Sequence, residues 1–199
     1  YTLCWFGGEP LMQKKEVLNI SSFLYQWCMR HGIDFEGQMT SNGALLDKDT
    51  IVSLKFSHIN HFQITLDGGR ESHNKVKRDN GNKSSFDLIL TNIKQLLEFN
   101  ESASVTLRFN YSKKKLQELH LVEEVCQAIP QELRGRVRVD LERIWQTRGV
   151  EDIQNTELRP LLEQFAKNGF RLSYGGSFVP CYAEKEHFET IYYMYIIHI

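Results

Sequence analysis

Three stretches of the chain alternate strictly between apolar and polar residues. Phe62, Ile64 and Leu66 alternate with Gln63, Thr65 and Asp67. Val105, Leu107, Phe109 and Tyr111 alternate with Thr106, Arg108 and Asn110, and Val137, Val139 and Leu141 alternate with Arg138, Asp140 and Glu142. A period of two puts successive side chains on opposite faces of an extended backbone, so strands are predicted over 62–67, 105–111 and 137–145. Shorter extended runs are predicted over 1–6, 33–40 and 170–174. Between them the apolar spacing lengthens to that of a helix face. Helices are predicted over 11–31, with Val17, Ile20, Leu24, Trp27 and Cys28 on one face, and over 86–100, with Leu88, Ile89, Ile93, Leu96 and Leu97. Two more are predicted over 116–128, stopped by Pro130, and over 156–168, ending at Gly169. Asp47 is placed to cap a short helix that runs through Lys55. Residues 68–85 read as one long polar connection.

Repeated strand–helix units imply an α/β fold with a parallel sheet, and the alternation says which kind. Strands covered by helices on both faces are apolar nearly throughout. The interior of a closed barrel is packed with branched apolar side chains. Here each strand keeps one polar side. The expectation is an open, partial barrel, with its greasy outer face under helices and its polar lumen filled by solvent or ligand. A doubly wound sheet is the second choice, and a half-exposed sheet with solvated polar side chains is the bland alternative.

Composition narrows the function classes. A chain of 199 residues, 41% hydrophobic and 25% charged, suits one globular domain with a sizeable core. Its net charge of −1 gives no bulk attraction to nucleic acid or to an anionic membrane, and no apolar run has membrane-spanning length. The cysteines Cys4, Cys28, Cys126 and Cys181 are widely spaced, with no CxxC pair. Buried thiols in a reducing, cytoplasmic setting are expected. His58 and His61 sit in no ligand motif. There is no Gly-rich phosphate loop and no nucleophilic triad signature.

The densest local signal is Trp5-Phe6-Gly7-Gly8-Glu9-Pro10. An apolar strand runs into two residues with no Cβ, then a carboxylate, then a proline suited to a first helical turn. Such a junction can offer carbonyl oxygens and a negative charge to a ligand ammonium group. An ordinary tight turn with an exposed glutamate is the equal alternative for this motif alone.

Taken with Thr40-Ser41-Asn42-Gly43 and Ile64-Thr65-Leu66-Asp67-Gly68, the motif resembles the radical S-adenosylmethionine (radical SAM) enzymes. The likeness is to the branch with a C-terminal SPASM extension, which includes peptide maturases and anaerobic sulfatase-maturating enzymes. It spans roughly residues 1–182 and implies a partial (β/α)6 TIM-like barrel, missing its first strand. Residues 1–176 would be the core and 177–199 the start of a truncated SPASM-like extension. The resemblance implies that Gly7, Gly8 and Glu9 meet the methionyl amino group of S-adenosylmethionine, with Pro10 also in the cofactor-binding turn. It implies further cofactor contacts at Thr40, Asn42, Thr65, where the family usually has serine, and Asp67. Of the basic pair Lys77 and Arg78, Arg78 is expected to meet the cofactor carboxylate, because guanidinium binds carboxylate bidentately. Arg108 and Asn110 would face the lumen and touch cofactor or substrate, with Asp140 or Glu142 as the simplest partner for Arg108.

The family also holds a [4Fe–4S] cluster in a CxxxCxxC loop, and this sequence has no such spacing. The chain is therefore expected to be a fragment, inactive by itself, of an oxidoreductase. That parent would cleave S-adenosylmethionine to a 5′-deoxyadenosyl radical, modify a peptide or protein substrate, and take electrons from a reductase partner. Catalytic residues are not assignable. Cys181 falls where the extension's first cluster cysteine would stand, followed by an apolar end at 191–199. A catalytically silent relative that binds a leader peptide or partner enzyme is the alternative, and an unrelated βα-barrel enzyme acting on a small carboxylate is a third.

Overall fold

In a computed structural model of the protein, the described residues are 1–76, 85–111, 120–143 and 155–173. Six parallel strands form one sheet: β1 (Thr2–Trp5), β2 (Glu36–Ser41), β3 (Ile59–Leu66), β4 (Ser104–Tyr111), β5 (Val137–Arg143) and β6 (Arg171–Leu172). Each strand pairs with its neighbour in sequence. A doubly wound sheet reverses its strand order part-way across. The unbroken order β1 to β6 is that of a singly wound, barrel-type sheet, as the alternation predicts.

A 3-10 turn (Pro10–Gln13) leads into α1 (Lys14–Arg30), and α2 (Lys48–Phe56), α3 (Arg70–Val76), α4 (Ser85–Phe99), α5 (Leu121–Ala128), α6 (Gln131–Arg134) and α7 (Asn155–Lys167) follow. The core lies between the helices and one face of the sheet. Met39, Phe62, Ile64, Leu66, Val105, Leu107, Phe109, Val137 and Val139 are buried against Val17, Ile51, Leu54, Ile89, Ile93, Leu97 and Val125. Every second strand residue is absent from that cluster, and those residues form the opposite, polar face.

The structure corrects several sequence expectations. Residues 70–76 are helical, not part of a polar connection. Their sequence has no apolar period. The helix is fixed instead by buried His73 and by Arg70, which pairs with Asp87 at 2.9 Å and lies near Glu124. Trp27 leaves the predicted buried face of α1 and stacks on His31, while Ser21 takes an inward position and accepts a hydrogen bond from Trp5 Nε1 at 2.9 Å. In α4 the exposed Leu88 gives way to Leu90 in the core. Pro130 stops α5 but opens the short α6. The parts of the predicted elements at 116–119, 144–145 and 174 lie outside the described residues.

Asp47 caps α2 as predicted, its Oδ1 accepting from the Thr50 backbone N–H at 2.7 Å. That backbone bond is the main reason its carboxyl is held below the usual carboxylate range. A depressed folded-state pKa contributes stability at pH values above the unfolded carboxyl's pKa, and loses it as pH falls through the folded value. Asp47→Ala is expected to cost about 1 kcal/mol. Chemical denaturation should show that difference at neutral pH and its disappearance in acid.

Candidate functional site on the polar face

Because all strands run the same way, their C-terminal ends share one edge, where ligands bind in open α/β sheets. Six of the predicted residues, from the ends of four strands, meet there through chain direction alone: Gly7–Glu9 after β1, Asn42 after β2, Asp67 after β3 and Asn110 near the end of β4.

The β1 turn is fastened by Glu9. Its Oε1 accepts from Leu11 N at 3.1 Å and from Ser41 Oγ at 2.9 Å, and its Oε2 accepts from Asn42 N at 2.7 Å. Ser41 Oγ also accepts from Gly43 N at 3.0 Å, Asn42 Oδ1 accepts from Ala44 N at 2.8 Å, and buried Asn92 of α4 donates to Gly43 O at 2.9 Å. One carboxylate thus caps the 3-10 turn and joins the ends of β1 and β2. Both its oxygens are taken by the protein, so what this junction turns outward is Gly7–Gly8. These two have φ of +91° and +51°, are exposed, and would find nothing within 4 Å of an added Cβ. The left-handed region penalises any side chain, and the bare backbone leaves room for a ligand to approach closely.

Along the polar face the register sets the residues in rungs. Thr65, Arg108 and Asp140 lie side by side on β3, β4 and β5. Arg108 Nε donates to Asp140 Oδ2 at 3.1 Å, so of the two carboxylates offered by the alternation it is Asp140 that pairs. The Asp140 side chain is 6% exposed and that of Arg108 21%. The pair is made through Nε, and among the described residues the Nη1/Nη2 fork of Arg108 has no partner. Above it, Asn110 Nδ2 donates to Asp67 Oδ1 at 2.9 Å. The Asp67 backbone N–H donates to His73 Nδ1 at 3.0 Å, which fixes the turn after β3 and places the neutral ring's proton on Nε2.

Gln63 stands one rung below Arg108, level with Thr40 and Thr106. Beneath that, Ser104 Oγ contacts His61 Nδ1 at 2.8 Å, His61 Nε2 lies 3.2 Å from Glu36 Oε1, and Gln38 Nε2 donates to the same oxygen at 3.2 Å. This line closes the lower end of the face with groups that satisfy one another.

Of the predicted site residues, Gly7, Gly8, Glu9, Thr40, Asn42, Thr65, Asp67, Arg108 and Asn110 lie on this face or at its upper edge, while Pro10 is buried at the start of the 3-10 turn. Lys77, Arg78 and Cys181 lie outside the described residues, as does the apolar end at 191–199. Ser41, Asn92 and His73 escaped the sequence reading. Asn92 had a usable signal, an amide on the apolar face of α4 beside Ile89, Ile93 and Leu96. Cys4, Cys28 and Cys126 stand on β1, α1 and α5 and form no disulfide among the described residues. Among the described residues no group of three or more His, Cys, Asp or Glu is gathered to hold a metal ion.

No family model matches the chain. Fe-coproporphyrin III synthase of Methanosarcina barkeri (strain Fusaro / DSM 804) is 27% identical over 121 residues, which is 61% of this chain and 27% of that protein. Native anSMEcpe solved with bound AdoMet and a Kp18Cys peptide superposes with a TM-score of 0.63 at 13% identity, over 86% of this chain and 49% of that one. The same protein with AdoMet alone gives 0.63 at 14% identity. These likenesses bear out the resemblance to radical SAM proteins drawn from the motifs. The shared fold is the partial, TIM-like barrel that the resemblance implies. The chain spans about a quarter of the curated relative (27%) and about half of the solved one (49%). Among the described residues no helix is long and apolar enough to cross a membrane.

Proposed function

We propose that this chain forms the S-adenosylmethionine-binding part of a radical SAM oxidoreductase acting on a peptide or protein. The observation that carries the reading is the open Gly7–Gly8 turn, clamped by Glu9 at the strand edge, with the Arg108 fork, unpaired among the described residues, on the polar face one rung below Asn110. An ammonium has three donors and no acceptor, and it suits the carbonyls of such a turn. A carboxylate suits a guanidinium fork. The methionyl end of the cofactor carries both groups. Thr40, Asn42, Thr65, Asp67 and Asn110 would line its path, with Arg78 as a second contact for the carboxylate. The peptide in the anSMEcpe complex supports a peptide substrate.

The described thiols, on three separate elements, do not fit a cluster that needs about four thiolates. The described residues therefore serve the proposed reaction by binding and orientation, and the [4Fe–4S] cluster, the radical and the reductase belong to the whole parent protein. The scattered thiols also favour a second reading, a radical SAM-like protein that binds a leader peptide or partner without chemistry of its own. Anaerobic reconstitution with iron and sulfide separates the two. Four irons bound per chain would remove the second reading.

Equilibrium dialysis with labelled S-adenosylmethionine tests the first. Saturable binding is expected, weakened roughly tenfold or more by Arg108→Ala, the loss of one charge-assisted contact. A side chain at Gly8, as in Gly8→Val, should weaken it similarly. No binding by the unaltered chain would end the proposal.

A further inference from the structure

We propose that Gln63 reads the substrate, pairing its carboxamide with a peptide unit of the chain bound in the lumen; this rests on the polar face being the ligand site. Gln63 occupies the middle of that face, yet it is 6% exposed and its Oε1 is buried with no hydrogen-bond partner among the described residues. The flanking rungs are different. Above, Arg108 is paired with Asp140, and below, Ser104, His61, Glu36 and Gln38 satisfy one another. Thr40 and Thr106 stand at either side of Gln63 and make no hydrogen bond to it. A buried amide without a partner costs stability that an apolar side chain of the same size would not. A bound group that meets the amide would remove that cost.

The chemistry of the amide selects its partner. A carboxamide offers an acceptor and N–H donors in one plane, and a flip of the side chain exchanges their places. A carboxylate would meet its donor end alone, and an ammonium its acceptor end alone. A peptide unit carries one C=O and one N–H and can meet both. A tetrapyrrole would need broad apolar walls. The rungs Thr40–Gln63–Thr106 and Thr65–Arg108–Asp140 supply none.

The test uses the 15N-labelled chain, with the Gln63 side-chain NH2 signal assigned by its loss in Gln63→Met. N-acetylglycinamide, a minimal peptide unit, is titrated to its solubility limit, and S-adenosylmethionine is titrated separately. The expected result is that N-acetylglycinamide shifts the Gln63 NH2 signal, while S-adenosylmethionine shifts the Gly8 and Arg108 backbone signals and leaves Gln63 in place. A Gln63 signal that N-acetylglycinamide does not move, or that S-adenosylmethionine moves by itself, overturns the inference. A response of Gln63 to the amide with no response anywhere to S-adenosylmethionine sustains it and removes the cofactor reading instead. Gln63→Met is also expected to melt no lower than the unaltered chain, since it removes an unpaired buried group. A Tm several degrees lower would assign the amide to the fold and overturn the inference.

Discussion

Glu9→Ala is expected to lower stability by about 3 kcal/mol and to abolish detectable S-adenosylmethionine binding. The carboxylate holds Leu11 N, Ser41 Oγ and Asn42 N, and Ser41 is buried. Hydrogen bonds to a charged group are worth about 1.5–3 kcal/mol each, and leaving a buried hydroxyl unmet adds to the loss. Water reaching the half-buried turn offsets part of it, which is why the sum stays near the value of one strong bond. For a domain of this size about 3 kcal/mol should move the Tm down by roughly 6–12 °C. Binding falls because the Gly7–Gly8 turn is no longer pinned to β2. The informative variant is Glu9→Asp, which keeps the charge but shortens the reach. It should restore less than half of the stability and little of the binding. Normal stability with lost binding would instead mean that Glu9 touches the ligand directly.

Asp140→Ala should be more damaging still, at about 3–5 kcal/mol, because it strips a buried counter-charge from Arg108. The double variant Arg108→Met, Asp140→Leu is expected to be near neutral or more stable than the unaltered chain, since a well-packed apolar pair avoids the desolvation of two ions. That double variant should still bind S-adenosylmethionine roughly tenfold or more weakly, as Arg108→Ala does. Urea denaturation of the two single variants and the double gives the coupling energy. A double variant as unstable as Asp140→Ala would show that the rung is needed for the fold and not for a ligand.

The parallel sheet, its winding and its two-faced strands were legible because a period of two survives in 62–67, 105–111 and 137–143 whatever the helices do. The Arg108–Asp140 pair was legible for the same reason, since both residues fall on the polar phase of adjacent strands. What sequence did not give was the fastening. Glu9 looked like a group offered to a ligand, and only the approach of Ser41 and Asn42, more than thirty residues later, turns it inward. α3 was missed because it has no apolar stripe and depends on Arg70 reaching Asp87. Trp27 was placed inside by spacing, but buried Ser21, with its bond to Trp5, takes the inward position and Trp27 stacks on His31 instead. Gln63 read as one more polar residue in an alternation, and its burial is a property of the packed face, which no local pattern encodes.

The unbroken strand order has a consequence for how the molecule is made. Each strand finds its partner one βα unit away, so the sheet can accrete edge by edge as the polypeptide leaves the ribosome, without waiting for a distant segment. The Glu9 clamp joins only residues of the first two strand ends, and Asn92 of α4 adds its hold on Gly43 O after that helix is made. The ligand-facing turn thus draws on near neighbours first and is completed by a later segment.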